Sequence, residues 1–245
     1  MKVLKKVLIV VLSVIVVAVT GTFALWHNEI ATVASITTII DQDLSHDDGY
    51  TYEMNVSGEY YFDDFLKQGG VSSDEELIQF ITGNITKGVI PMTIKTKEIA
   101  CSSFTAWTKD HQFVFGRNYD FDETNTAIVH TNPKGRHASV STIDLQFLGI
   151  DEKDGITGIK EKALLLAAPY IPLDGINDAG VACGIYMTYQ GEPTSPTNQN
   201  TEKPDITSTT LLRLILDYAD NVEEAIELAS QYDMHDSAGT SYHYM

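Results

Sequence analysis

The chain has 245 residues, of which 43% are hydrophobic, so it can form one sizeable globular domain or two small ones and is not a disordered polypeptide. Its formal net charge is −18, and both halves of the sequence are acidic. Because nucleic-acid binding needs a basic surface, this charge argues against a DNA or RNA partner. An acidic surface is typical of a protein that stays soluble after export.

The N-terminus is apolar. Lys2, Lys5 and Lys6 precede an uncharged run from Val7 to Trp26 that is rich in Val, Leu and Ile. This layout predicts an export signal, and about 20 such residues are enough to span a bilayer. No clear small-x-small cleavage site closes the run. Residues 1–26 are therefore expected to be a signal anchor or a signal peptide, with the rest of the chain membrane-anchored outside the cytoplasm or secreted.

The next segment is predicted to be ordered. Apolar residues from Ile30 to Ile40 have near-helical spacing and predict a helix, and the stretch from Tyr50 to Phe62 alternates like a strand. Ser72 or Ser73 is the expected N-cap of an amphipathic helix that follows.

Short runs of β-type residues follow and predict strands at 113–119, 139–147, 163–171 and 181–189. Two amphipathic helices are expected after them, one from Ser208 and one capped by Asn221. Strands followed by paired helices predict an α+β layered domain. Residues 241–245 resemble the opening of another strand, and we expect the sequence to be truncated at its C-terminus.

Cys101 opens one apolar segment, and Arg117 and Asp120 lie near the end of the next. The turn-prone residues 108–112 between them predict a hairpin, which would place both charged side chains beside the thiol. A guanidinium favours the thiolate, which is the nucleophilic form of cysteine. No histidine forms a Cys-His pattern with it. If the bond before Cys101 is cut, the new α-amine, with an ordinary pKa of about 7.7–8.0, can act as the base, positioned by Asp120.

The cysteines also allow a different interpretation. Cys101 and Cys183 are the two cysteines of the chain, and a disulfide between them would suit a non-catalytic extracellular binding module. Cys183, however, alternates in phase with Val181 and Ile185, which predicts a buried, inert thiol. Zinc-ligand spacing is absent from His130, His137, His235 and His243, so neither a metal nor another cofactor is expected.

Three stretches together resemble the choloylglycine hydrolase and penicillin V acylase family of N-terminal-nucleophile hydrolases. They are Cys101-Ser102-Ser103-Phe104, Gly116-Arg117-Asn118-Tyr119-Asp120-Phe121 and Gly175-Ile176-Asn177-Asp178-Ala179-Gly180. The resemblance covers 101–245 and implies an αββα sandwich that hydrolyses linear, non-peptide C–N amide bonds through a cysteinyl thioester. It implies that Cys101 is the nucleophile, flanked by Arg117 and Asp120, and that Asn177 is an oxyanion-hole donor. Without the resemblance, Asn177 fits simple turn chemistry, and Arg117 with Asp120 fits a plain ion pair.

The resemblance also gives the first hundred residues a purpose. Autocatalytic cleavage between Ala100 and Cys101 would free the nucleophile, by attack of the sulfur on the Ala100 carbonyl and hydrolysis of the thioester. Residues 27–100 would then be a pro-segment or small subunit, and 101–245 the N-terminal part of the catalytic domain. The expected partner is a small-molecule amide. An acyltransferase on the same fold, in which an amine replaces water at the thioester, is the alternative function.

Overall fold

A computed structural model describes residues 2–43, 45, 49–93, 100–120, 124–150, 153–188 and 195–245. The α-helices in this part of the chain are α1 (Lys2–Ser35), α2 (Phe62–Lys67), α3 (Asp74–Asn84), α4 (Ile159–Leu164), α5 (Ser208–Tyr218) and α6 (Val222–Ser230). The strands are β1 (Thr37–Ile40), β2 (Thr51–Asn55), β3 (Ala100–Trp107), β4 (Phe113–Asp120), β5 (Thr126–Thr131), β6 (Ser139–Asp144), β7 (Asp174–Asn177), β8 (Ala182–Met187), β9 (Asp205–Thr207), β10 (Asp233–His235) and β11 (Tyr242–Tyr244). Short 3₁₀ helices occupy Leu145–Leu148, Leu165–Tyr170 and Ser237–Gly239. The prediction of a mixed α+β fold is confirmed.

Seven of the strands form one sheet in the order β1-β2-β5-β6-β7-β8-β11. Its pairs are antiparallel except for β2 and β5, which run parallel. Strands β1 and β2, which precede Cys101 in the sequence, therefore form one edge of the same sheet that contains the strands following it. Strands β9 and β10 form a separate parallel pair, and β3 and β4 form a separate antiparallel hairpin.

The two faces of the sheet have different neighbours near β7 and β8. Cys183 and Ile185 of β8 are buried, and a Cβ placed on Gly175 of β7 would lie 2.8 Å from Leu216 of α5. A Cβ on Gly184 would instead lie 2.5 Å from Arg117 of the hairpin. Because successive residues of a strand point to opposite faces, α5 covers one face of the sheet here and the β3–β4 hairpin contacts the other.

Helix α1 continues from the apolar N-terminus directly into the folded domain. Its apolar residues as far as Leu25 are exposed, whereas Glu29 and Thr32 are buried. The Lys87 Nζ donates to Glu29 Oε1 at 2.8 Å and lies 4.7 Å from the ring centroid of Trp26. Among the described residues, Leu4–Ser35 is long and apolar enough to cross a membrane. A helix of this kind is typical of a signal segment or a membrane anchor.

A buried polar cluster joins the segment before Cys101 to the segment after it. The Tyr60 hydroxyl lies 2.6 Å from both carboxylate oxygens of Asp217 in α5. Asp217 also accepts from Arg213 at 3.1 Å and from Arg136 at 2.9 Å. The Tyr170 hydroxyl donates to the Tyr60 carbonyl at 2.5 Å. Because an unpaired buried charge is costly, the fold depends on contacts from both segments.

Helix caps were predicted better than the apolar runs. Ser73 is the N-cap of α3 and Asn221 the N-cap of α6, as predicted. The predicted strand at 163–171 is wrong, because this stretch forms the end of α4 and a 3₁₀ helix that contains Pro169. All six residues of that 3₁₀ helix are buried, and an apolar run without a polar face does not distinguish a buried helix from a strand.

Other predicted elements differ in extent. The strand predicted at 139–147 ends at Asp144, and Leu145–Leu148 form a 3₁₀ helix. The predicted helix through Ile40 ends at Ser35, and Ile39 and Ile40 belong to β1. The predicted strand from Tyr50 to Phe62 is limited to Thr51–Asn55, and Phe62 begins α2. Phe121 and the end of the predicted strand at 189 lie outside the described residues.

Candidate active site

The β3–β4 hairpin places Cys101 and Arg117 on the same face. Cys101 pairs with Tyr119, and Ser103 pairs with Arg117, so the two residues are diagonal neighbours across the hairpin. The backbone N–H of Thr108 donates to the Gln112 carbonyl at 2.8 Å and closes the turn between the strands. Diagonal neighbours are within reach of a long side chain, which an arginine supplies. The hairpin prediction is confirmed.

The Arg117 guanidinium connects the thiol to β7 and β8. Its Nη2 donates to Cys101 Sγ at 3.2 Å, and its Nε lies 3.3 Å from Asp174 Oδ2. Asp174 in turn accepts from the Thr142 hydroxyl at 2.6 Å. The guanidinium carbon lies 4.4 Å from the centroid of the Tyr186 ring. A buried cation therefore touches the sulfur and is itself held by a carboxylate and an aromatic ring.

Two opposing effects act on the Cys101 thiol. Burial raises its pKa, while the charge of Arg117 and a backbone hydrogen bond from Met187 lower it. The carboxylates of Asp120 and Asp174 raise it further. Burial prevails, so the pKa of the thiol is above its ordinary value. Arg117 favours the thiolate as the sequence suggested, but its effect does not outweigh desolvation.

Asp120 lies on the opposite face of the hairpin from the thiol. It pairs directly with Ala100 and accepts from the Asn118 amide at 2.5 Å. Its carboxylate is exposed, and it is close enough to Cys101 for its charge to raise the pKa of the thiol. The structure therefore places Asp120 beside the Ala100–Cys101 peptide bond, and its role in positioning the new amine stays a prediction.

Asn177 is part of a different set of contacts. Its Nδ2 donates to the Ala219 carbonyl at 2.8 Å, and its Oδ1 accepts from the backbone N–H of Val181 at 2.9 Å. Within the described residues, no hydrogen bond joins Asn177 to Cys101. These contacts close the turn between β7 and β8 and connect it to the end of α5. The assignment of Asn177 to an oxyanion hole stays a prediction.

Sequence reasoning missed three residues that surround Arg117. Asp174 directly precedes the stretch from Gly175 to Gly180 that carried the family resemblance, and it was not singled out. Gly184 and Tyr186 alternate with the apolar residues of β8, so their positions already place them on the face away from the core. That alternation is the sequence signal for this face, although it does not say what the face contacts.

Cys183 is buried between β8 and the helices, as predicted. Burial raises the pKa of its thiol to about 12. Both cysteines are free thiols in the structure, so the disulfide that the alternative interpretation requires is absent from the described residues. A buried thiol with a raised pKa is expected to react slowly.

We expect one of the two thiols to react in the native protein. Native labelling with a maleimide should modify Cys101 and spare Cys183, and labelling after denaturation should modify both. Peptide mass spectrometry identifies the sites. Failure of both cysteines to react in denatured, non-reduced protein, with recovery after reduction, would instead indicate the disulfide.

Comparison with known proteins matches part of the chain to one protein family. No curated protein matches the sequence. Residues 101–242 match the family of linear amide C–N hydrolases known as the choloylglycine hydrolase family, and the match begins at the cysteine that Arg117 contacts. Because the matched region covers more than half of the 245 residues, the chain belongs to the choloylglycine hydrolase family of linear amide C–N hydrolases.

Proposed function

We propose that this protein hydrolyses a linear, non-peptide amide through a thioester on Cys101. The observation that carries the proposal is the 3.2 Å hydrogen bond from Arg117 to the Cys101 sulfur at the first residue of the family match. A fixed cation stabilises the thiolate that attacks the amide carbonyl. The raised pKa of the thiol in the uncut chain is consistent with a precursor that has to be activated.

Cleavage between Ala100 and Cys101 would supply the missing base. In our proposal the Cys101 sulfur attacks the Ala100 carbonyl carbon, the nitrogen leaves as the α-amine of Cys101, and water hydrolyses the resulting thioester. The products are a carboxylate on Ala100 and a free thiol on an N-terminal cysteine. Asp120, opposite Ala100 in the hairpin, is suitably placed to accept a hydrogen bond from the new amine.

The same groups would then act on the substrate. The α-amine takes the thiol proton as the sulfur attacks the carbonyl and gives it to the leaving amine, which forms an acyl thioester. Water hydrolyses the thioester and regenerates the thiol. Asn177 is proposed as a donor to the oxyanion, which requires its amide to leave the Ala219 carbonyl and turn from the α5 side of the sheet toward the side of the thiol. We also propose that the catalytic domain has the αββα sandwich fold that the family implies.

A groove beside the hairpin supports a substrate with an apolar acyl group. It has a volume of about 790 Å³ and is lined by Thr105 and Phe115, on the hairpin face that carries Cys101, and by Ile176, Val181 and Met245. Ser103, between Cys101 and Thr105 on this face, contacts Met245. Thr105 lies four residues along β3 from Cys101, so the groove begins within roughly 14 Å of the thiol.

We also propose that α1 anchors the protein in a membrane with the catalytic domain outside the cytoplasm. Lysines precede its apolar run, and the apolar side chains from Leu4 to Leu25 are exposed rather than packed against the domain. A helix of this length buried in lipid would satisfy both its backbone and its side chains.

The test of the function is a panel of amides with apolar acyl groups of increasing length, incubated with the full chain and quenched in acid. We expect release of the free acid and an acyl adduct on the peptide that begins at Cys101. Addition of a primary amine distinguishes the alternative, because an acyltransferase would form a new amide. Undiminished hydrolysis by the Cys101→Ala variant would contradict the proposal.

A further inference from the structure

The orientation of the Arg117 guanidinium rests on few hydrogen bonds. Its side chain is 3% exposed, yet its one hydrogen bond to another side chain among the described residues is from Nη2 to Cys101. The Nη1 and Nε atoms have no hydrogen-bond partner in the described part of the chain, although Nε lies within ion-pair distance of Asp174. A planar group with so few directional contacts can rotate unless a neighbour packs against its plane.

That neighbour is the Tyr186 ring. The guanidinium carbon lies 4.4 Å from the ring centroid, a distance at which cation–π attraction is effective. The Tyr186 hydroxyl is buried and has no hydrogen-bond partner among the described residues. The contact with Arg117 is therefore made by the ring.

Gly184, two residues earlier on the same face of β8, supplies the space. A Cβ at this position would lie 2.5 Å from Arg117 Nη1 and 3.3 Å from both Arg117 Cδ and the Tyr186 hydroxyl. Any larger residue would push the guanidinium away from β8. The backbone of Gly184 adopts no left-handed conformation, so the requirement for glycine here comes from this close approach.

We infer that Tyr186 is a positioning residue, whose ring, with the space left by Gly184, holds the Arg117 guanidinium so that Nη2 faces the Cys101 sulfur. This role rests on the proposed function, in which Cys101 is the nucleophile. Tyr186 acts through Arg117 and not on the substrate. The consequence is that an uncharged side chain sets how strongly the buried cation favours the thiolate.

Tyr186 is a better position for a test than the other groups near the thiol, because those groups act on the Cys101 pKa directly. The charged and titratable groups that act on Cys101 are Arg117 and Asp120 of β4, Asp174 of β7 and Tyr242 of β11. Replacement of Asp174 would change the charge near the sulfur directly. Replacing Tyr186 by leucine removes an aromatic ring and no formal charge, so it changes the thiol mainly by releasing Arg117.

The experiment measures the rate of Cys101 alkylation by iodoacetamide as a function of pH in the full chain, with cut and uncut forms analysed separately by mass. In Tyr186→Leu we expect the apparent pKa of Cys101 to rise and the rate at pH 7 to fall by roughly three- to tenfold. Tyr186→Phe keeps the ring and should restore the wild-type profile. Tyr232→Leu makes the same chemical change in a half-buried tyrosine after α6 and should not alter the profile.

Two further variants test whether Tyr186 acts on the thiol through Arg117. Gly184→Ala should shift the profile in the same direction as Tyr186→Leu with the ring unchanged, and it serves if Tyr186→Leu does not fold. In an Arg117→Met background, Tyr186→Leu should have no additional effect. A wild-type profile in both Tyr186→Leu and Gly184→Ala, or an undiminished effect without Arg117, would overturn it. Alkylation needs no amide turnover, so this result is independent of whether the hydrolase function is correct.

Discussion

Replacement of Cys101 by alanine is expected to leave the protein as one uncut chain and to abolish amide hydrolysis. In our mechanism the same sulfur attacks the Ala100 carbonyl and later the substrate carbonyl, so both reactions lose their nucleophile. Removal of a covalent nucleophile lowers turnover by roughly 10⁶-fold in well-studied hydrolases. Intact-mass measurement and N-terminal sequencing detect the cleavage, which should give one piece ending at Ala100 and another beginning at Cys101.

Two controls make this result specific. Cys101→Ser retains a weaker nucleophile and should be cut more slowly than the wild type, whereas Cys183→Ala should be cut normally because that thiol is buried on the helix side of β8. Cleavage of Cys101→Ala at the usual rate would show that the bond is cut by another protein. Full activity in a wild-type chain that keeps the bond between Ala100 and Cys101 would show that the α-amine is not the base.

The segment before the cut is expected to remain bound after cleavage. Strand β2 pairs with β5 along the whole of Thr51–Asn55, and Tyr60 bonds Asp217 of α5. Phe62 and Phe65 are fully buried, and both rings contact Tyr170. None of these contacts depends on the peptide bond at Ala100. The two pieces should therefore elute together in gel filtration and separate in denaturing electrophoresis.

Removal of one buried ring tests this retention. Phe62→Ala should weaken the association by about 3–5 kcal/mol, because it loses apolar burial and leaves a cavity. The cut Phe62→Ala protein should then release the N-terminal piece at concentrations where the wild type stays intact. Ile226→Ala on α6 is the matched control, since that side chain is exposed. Release of the N-terminal piece from wild-type protein would contradict the expectation and indicate a pro-segment that leaves.

The sequence was most informative where structure is local. The turn at 108–112 sets the register of the hairpin, and the register alone brings Arg117 beside Cys101. Ser73 and Asn221 were predictable as caps because a cap depends on residues three positions away. These features need no knowledge of the rest of the fold.

Contacts between distant elements were less predictable. Asp174 and Tyr186 meet Arg117 because the hairpin lies against one face of the sheet, and strand alternation does not reveal which element covers that face. The role of Asn177 is similar, since its bond to the Ala219 carbonyl depends on where α5 ends. The predicted strand at 163–171 was wrong because a fully buried apolar run carries no period that could identify it.

The continuity of α1 has a mechanical consequence. The helix passes from its exposed apolar part to the buried Glu29 and Thr32 without a break, and the Lys87 contacts with Trp26 and Glu29 fasten that junction. With α1 in a bilayer, the continuous helix would be a rigid connection between the membrane and the folded domain, and not a flexible linker. The folded domain would be held at a constant height and tilt above the lipid headgroups. Substrates would therefore have to diffuse to the Cys101 sulfur, because the domain itself could not move through the surrounding solvent.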